Sequence, residues 1–517
     1  MSEGGNDNGQ QPAASLQTNE LFELCKSESL SEEGVRGIIE RHGLTHCNNL
    51  SDYKFFRAAC LNERVTEEII RCLLEYFPDA ASAANNKGSL PLHFACWNKN
   101  MTVNIIQLII DAAPDSVRSA NNEGKMPLHI LCRNDKLDGA AAIQILKLLL
   151  DKHPDAARHS SNNYGRLPIH TASRWRSPDF CRVLIEAYPG SERRADASDV
   201  LPLHIACCFN TVATVEYLYR QYPDAIHQAT THGVYPIDSA IGSTTKRSHA
   251  TPAVDIVQFL LDCDPNQKVP QFHGMSPLHF ACGREYNDSN IEAGIQIIKG
   301  IFDAHPEAIE DDSFASDIHR YHQQVQEFIN GELVYARQAK DHRLMHTPDD
   351  NGRLPLHTAL QNNVRLGSIK LLLKGNPSAL RTVEDNLAMP LHIACEYHDS
   401  TRVVQYLLSL SATILDAVDR QGNTSLHYAC RGAKYETIAL LLEQYDAASV
   451  SKRNAHGNLP IDLLWESNAV EDRESVEFTG SIFQLVRAYP EMVTISNSTG
   501  VAARNGKKRK FSHGHED

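Results

Sequence analysis

Apolar positions in this chain cluster at helical spacing. Ile105, Ile106, Leu108, Ile109 and Ile110 form one such cluster, and Ile145, Leu146, Leu148, Leu149 and Leu150 another. Recurrence at three and four residues predicts helices with one buried face. Most should stop at a proline followed by an acid, as at Pro78-Asp79, Pro114-Asp115, Pro154-Asp155, Pro223-Asp224, Pro306-Glu307 and Pro490-Glu491, because proline cannot continue a helix. A shorter helix precedes each one. It opens at the proline of a Leu-Pro-Leu-His tetrapeptide or near variant, where the missing N–H is harmless and the fixed φ suits the first turn.

The tetrapeptide repeats. Its proline is Pro91, Pro127, Pro168, Pro202, Pro236, Pro277, Pro355, Pro390 and Pro460, with Ser425 in the same slot, at steps of 36, 41, 34, 34, 41, 78, 35, 35 and 35 residues. Two weaker copies, ending in Cys25 and Cys60, extend the series towards the N-terminus and make twelve units, the outermost altered as end units that face solvent should be. A glycine stands three residues before the slot in eight copies (Gly88, Gly124, Gly165, Gly233, Gly274, Gly352, Gly422, Gly457); this is turn chemistry. One helix pair cannot bury its apolar face alone, so stability should reside in neighbour-to-neighbour interfaces.

A glycine turn, then Pro-Leu-His-x-Ala, then a second helix, at a period near 35, resembles the ankyrin repeat, whose period is about 33. The resemblance covers residues 20 to 495. It implies an all-α fold, an ankyrin-repeat helical solenoid of about twelve units with one helical insertion. Boundaries follow: a disordered tail over 1–19, an N-terminal array over 20–310, the insertion over 311–350, a C-terminal array over 351–495 and a disordered basic tail over 496–517. The family's Thr before Pro is mostly Leu or Met here (Leu90, Met126, Leu167, Leu201, Leu354, Met389, Leu459), and Thr424 alone keeps it. In the insertion Ile318, Tyr321, Val325, Phe328, Ile329 and Leu333 mark an amphipathic helix, read as an irregular unit packed on the array rather than as a partner-binding helix. The longer units, with stretches such as 242–252 and 466–480, should project on the edge away from the hairpin tips.

Charge and composition narrow the function. With 42% hydrophobic and 22% charged residues the chain can build a core. The formal net charge is -14, and because the last 17 residues carry a local +3, the rest sums to -17. An acidic body disfavours a phosphate backbone, so nucleic acid is not an expected partner. No apolar run approaches the length of about 18 residues that a membrane span needs, and no signal sequence is read at the N-terminus. Thirteen cysteines, without zinc-type spacing, fit a reducing, intracellular compartment.

Eight histidines share one motif position (His93, His129, His170, His204, His279, His357, His392, His427), but stacked equivalents lie a repeat apart, too far to converge on a metal at about 2 Å. Cys25, Cys60, Cys96, Cys132, Cys207, Cys282, Cys395 and Cys430 share another, where a small buried residue is expected. Phosphate-loop, dinucleotide, zinc-protease, nucleophile-elbow and kinase signatures are absent. The reading is therefore not an enzyme, with no catalytic residue, metal, cofactor or small-molecule substrate.

The ankyrin resemblance implies that partners dock on the hairpin tips and the inner face of the first helix. The two positions there are Trp97/Asn98, Arg133/Asn134, Arg174/Trp175, Cys208/Phe209, Gly283/Arg284 and Glu396/Tyr397, among others. Trp, Tyr and Arg are enriched at interface hot spots, so Trp97, Arg133, Arg174, Trp175, Phe209, Arg284 and Tyr397 are the expected partner-binding residues; the alternative is that the tryptophans cover neighbouring helices. Lys87, Lys125, Tyr164 and Arg166 make the nearby tips basic, pointing to an acidic or phosphorylated partner segment or to a solvated edge. The function expected is a scaffold or adaptor holding a protein partner. The second reading is a regulatory or targeting subunit of an enzyme complex of ubiquitin ligase or phosphatase type. Lys507, Lys508, Arg509 and Lys510 match a nuclear-import signal, which leaves cytoplasm and nucleus both open.

Overall fold

The computed structural model describes residues 13–44, 53–161, 164–244, 251–263, 275–310, 316–467 and 475–488. The architecture is the expected all-α helical solenoid, in which neighbouring helix pairs stack. Two compact units divide at Gly300/Ile301. In the first, short helices Pro91–Ala95, Pro127–Arg133, Pro168–Trp175, Pro202–Phe209, Pro236–Ser243 and Pro277–Cys282 alternate with Val103–Ala112, Gly139–Lys152, Pro178–Ala187, Val212–Gln221, Thr251–Cys263 and Ile291–Ala304. The weaker copies supply Ala13–Lys26 with Glu32–His42 and Lys54–Leu61 with Glu67–Tyr76. The first helix thus starts inside the segment 1–19 that the sequence marked as disordered, and its Thr18 is buried.

The motif proline opens a helix in every described copy that carries one. Because Leu or Met offers no capping oxygen, the backbone N–H of that residue is satisfied by the histidine three positions on. Leu90, Leu167, Leu201 and Met389 donate to Nδ1 of His93, His170, His204 and His392 at 3.0–3.2 Å. This is the reciprocal half of a capping box. The other ring nitrogen faces a carbonyl of the next repeat: Lys125 for His93 (3.0 Å), Val200 for His170 (3.2 Å) and Ala417 for His392 (3.2 Å). Accepting at Nδ1 and donating at Nε2 requires the neutral Nε2–H tautomer. Where the motif lacks His, Asp238 and Asp462 accept the same cap bond, from Tyr235 (3.0 Å) and Leu459 (2.8 Å). The second helices are capped by side chains of their own, among them Thr66, Thr102, Asp138 and Ser177.

The prolines after the second helices stop them and also open a single 3-10 turn: Pro78–Ser82, Pro114–Val117, Pro154–Arg158, Pro223–His227 and Pro306–Glu310. The core lies between: Ile105, Ile106, Ile109 and Ile110 of one second helix face Ile145, Leu146, Leu149 and Leu150 of the next, all buried. At the tips Gly88 has φ +72, and a Cβ there would come within 2.5 Å of the Asn122 side-chain oxygen. Two repeats without glycine put Asp199 (φ 56) and Leu387 (φ 59) in that left-handed position.

In the second unit, Pro355–Gln361, Pro390–Tyr397, Ser425–Arg431 and Pro460–Glu466 pair with Leu366–Gly375, Thr401–Leu410, Tyr435–Leu442 and Val476–Ala488. The inserted stretch forms a 3-10 turn Ile318–Arg320 and helices Gln323–Lys340 and His342–His346. The amphipathic helix therefore begins at Gln323, after Ile318 and Tyr321, where His322 caps it. Its Val325, Ile329 and Leu333 are buried. It lies along Leu366–Gly375 so closely that a Cβ on Gly375 would sit 2.5 Å from the Ala339 carbonyl oxygen. The loop stretches 245–250 and 468–474 of the longer units lie outside the described residues, as does the tail 496–517.

Candidate functional site

In the six leading repeats a buried small residue, usually Cys, stands at or near the end of the first helix, and exposed or half-buried side chains follow it within two positions. In chain order they are Lys26, Leu61, Trp97, Arg133, Arg174 with Trp175, and Phe209. Trp97 is 44% exposed, Trp175 38% and Phe209 39%, a large apolar investment for a surface. The rings are joined by cations: the Arg133 guanidinium lies 5.6 Å from the Trp97 ring, and Arg174 sits 4.7 Å from Trp175 and 3.7 Å from Phe209. Neither arginine is paired with a carboxylate among the described residues. Burial against the rings pushes the Arg174 pKa down, and its Nε has no hydrogen-bond partner. Five of the expected partner-binding residues are thus brought into one row.

Arg284 and Tyr397 are placed elsewhere. Arg284 stacks on Phe280 of its own repeat (5.4 Å) and reaches the Gly242 carbonyl of the preceding one (3.5 Å). Tyr397 is 43% exposed in the second unit, but the cation beside it is committed: Arg431 makes a two-pronged ion pair with Glu396 at 2.7 and 2.6 Å.

The second of each pair of expected face positions turns inward in two repeats. Asn98 donates to the carbonyls of Cys60 (3.0 Å) and Asn62 (2.8 Å), and Asn134 to those of Cys96 (3.1 Å) and Asn98 (3.2 Å). With Asn62 and Asn210 doing the same one repeat along, a ladder of amides fastens the ends of successive first helices. These asparagines hold the array together and offer nothing to a partner.

The basic tips are largely neutralised. Lys125 pairs with Glu123 (2.6 Å) and Arg166 with buried Asp196 (2.9 Å), leaving exposed Lys87. Burial works to raise the Asp196 pKa, but Arg166 and the N–H groups of Ser198 and Val200 outweigh it and hold the carboxyl low. The tips are tied by backbone bonds such as Asn122 N–H to Lys87 O (3.0 Å) and Ala197 N–H to Tyr164 O (2.8 Å).

The repeated histidines and cysteines are consumed by structure. Burial pushes His129, His170, His204 and His392 down to about 4, so they are neutral at pH 7. Burial pushes the thiols of Cys25 and Cys132 up to about 12, far from a thiolate nucleophile. Among the described residues no three His, Cys, Asp or Glu side chains are grouped to hold a metal, and no helix is long and apolar enough to cross a membrane.

The family described as ankyrin repeats matches the chain in three copies, over residues 100–196, 140–231 and 356–454. No curated protein matches it.

Proposed function

Because this is an ankyrin-repeat chain, a family whose members are in general protein–protein interaction modules, we propose that it is a non-enzymatic scaffold or adaptor that holds a protein partner on its first-helix face. The observation that carries this is the row Trp97, Arg133, Arg174, Trp175 and Phe209, in which exposed rings are coupled to guanidinium groups that pair with no carboxylate among the described residues. Stacking on the rings holds the cations in place before a partner arrives, which lowers the entropy lost on binding. The acidic or phosphorylated character of the partner rests on those free guanidinium groups rather than on the tips, whose charges are mostly spent. Arg284, on a later repeat of the same unit, and Tyr397, in the second unit, are further contact residues of this reading, each on its own unit.

An intracellular setting, cytoplasmic or nuclear or both, belongs to this reading. It draws on Lys507, Lys508, Arg509 and Lys510, which lie outside the described residues, and a tagged chain lacking 504–511 that distributes like the full one would remove the nuclear part. The function itself is tested by affinity purification and mass spectrometry from native lysate with wild type and the W97A/W175A variant at matched melting temperature. Loss of a reproducible set of proteins with the variant is expected; recovery of the same set defeats the proposal.

A further inference from the structure

The row has a distinct N-terminal end. Between the first helices of the three leading repeats lies a pocket of about 450 Å³. Phe22, Leu61 and Phe94 form its apolar wall, and Lys26, Lys54 and Arg57 its rim. Leu61 is 41% exposed there. Lys54 is held over the Phe22 ring (4.7 Å) with its ammonium on the Asn19 side-chain oxygen (2.5 Å), and Lys26 approaches the same ring (5.2 Å). Arg57 donates to the Ala83 carbonyl (3.2 Å). Neither Lys54 nor Arg57 meets a carboxylate among the described residues, and Lys26 has only a loose contact with Glu23 at 3.9 Å. In a body with a net charge of -17 outside its last 17 residues, three cations around an apolar hollow are an exception that the fold does not require.

The pocket is continuous with the row, since Phe94 lies on the first helix Pro91–Ala95 and Trp97 just past its end, and Leu61 occupies the position equivalent to Trp97. Resting on the proposed function, we propose that this pocket is the charge-reading end of the partner site. It takes an acidic protein segment in which a bulky apolar side chain seats against Phe22, Leu61 and Phe94 while a neighbouring Asp or Glu meets Lys54 and Arg57. The rest of the segment runs along Trp97 and Arg133 towards Arg174, Trp175 and Phe209. First helices stack at about 8–10 Å, so the distance from Lys26 to Phe209, five repeats on, matches an extended segment of roughly 12–15 residues at about 3.3 Å each. Complementary charge at one end fixes the direction of the chain, which apolar contacts alone leave open.

The test is panning of a random twelve-residue peptide library on the full-length chain. Enriched peptides should place Asp or Glu beside Leu, Ile, Phe or Trp. The strongest of them, synthesised and followed by fluorescence anisotropy, should bind at least tenfold more weakly to K54E/R57E and lose affinity as salt rises. If K54E/R57E melts early, Lys54→Met, which keeps the stem over Phe22 and removes the charge, should still weaken binding several-fold. A library without enrichment, a neutral or basic consensus, or affinity untouched by both variants overturns the proposal. Lysate capture separates the two levels: proteins lost with W97A/W175A but kept by K54E/R57E defeat the pocket alone, and proteins kept by both defeat the whole face.

Discussion

The neutral histidines that cap the first helices make the array's stability depend on pH in a direction fixed by the structure. In the unfolded chain each titrates near its ordinary 6.5, whereas in the folded N-terminal unit His129, His170 and His204 are held at about 4, chiefly by burial. Below pH 6.5 the unfolded state binds more protons, so stability falls as pH falls, over the window from about 6.5 to about 4. Taking the unit from pH 7.5 to 5.5 should cost about 1.3 kcal/mol per histidine, about 4 kcal/mol for the three. Asp238 works the other way. Burial raises its carboxyl to about 6, so the folded state gains protons on acidification and recovers about 0.8 kcal/mol over the same interval. The net loss is then about 3 kcal/mol, a large part of a typical folding free energy. Urea unfolding of the full chain followed by circular dichroism, at both pH values and constant ionic strength, should show at least this loss, since His392 of the second unit, also held at about 4, adds about 1.3 kcal/mol. His204→Asn should be destabilised at pH 7.5, yet its deficit relative to wild type should shrink by about 1.3 kcal/mol at pH 5.5, because one titrating ring is gone. Equal unfolding free energies at the two pH values, or an unchanged deficit for His204→Asn, would refute the reasoning.

Other substitutions probe separate links. Leu387→Gly should raise the melting temperature, gaining about 0.5–1 kcal/mol, because Leu387 sits at φ 59 with its side chain 46% exposed. Asp238→Asn should stabilise the chain by about 1–2 kcal/mol at pH 8 and by little at pH 5, since it removes a buried charge while keeping an acceptor for Tyr235 N–H; equal effects at both pH values would count against the buried-charge account. Asn134→Ala strands the carbonyls of Cys96 and Asn98 and should cost about 2–3 kcal/mol in denaturant unfolding without altering partner capture.

The repeat was legible because its punctuation is stereochemical: proline at the helix start and a permissive residue at the tip are demanded locally, copy after copy. What escaped was whatever depends on a neighbouring repeat. Asn98 and Asn134 look like surface residues by type, and only the stack shows them reaching back to carbonyls 36 to 38 residues away. Arg166 reads as a free cation until Asp196, from the following tip, is set beside it. The aspartates that replace the motif histidine keep its cap bond, a substitution that spacing alone could have flagged. Of the candidate site, Trp97 to Phe209 could be read from the two register positions after the small buried residue. The Phe22, Lys54 and Arg57 pocket could not, because its repeats have lost the motif that supplies the register.

Whether a protein partner sits on the first-helix face of the N-terminal unit can be read by site-specific photo-crosslinking. A photoreactive phenylalanine analogue is placed at Phe209, in the row, or at Lys147, exposed on the second helix Gly139–Lys152, and irradiated in the cell of origin. A discrete protein adduct is expected from position 209, diminished by W97A/W175A and absent from position 147. Adducts of equal yield at both positions, or at 147 alone, would contradict it.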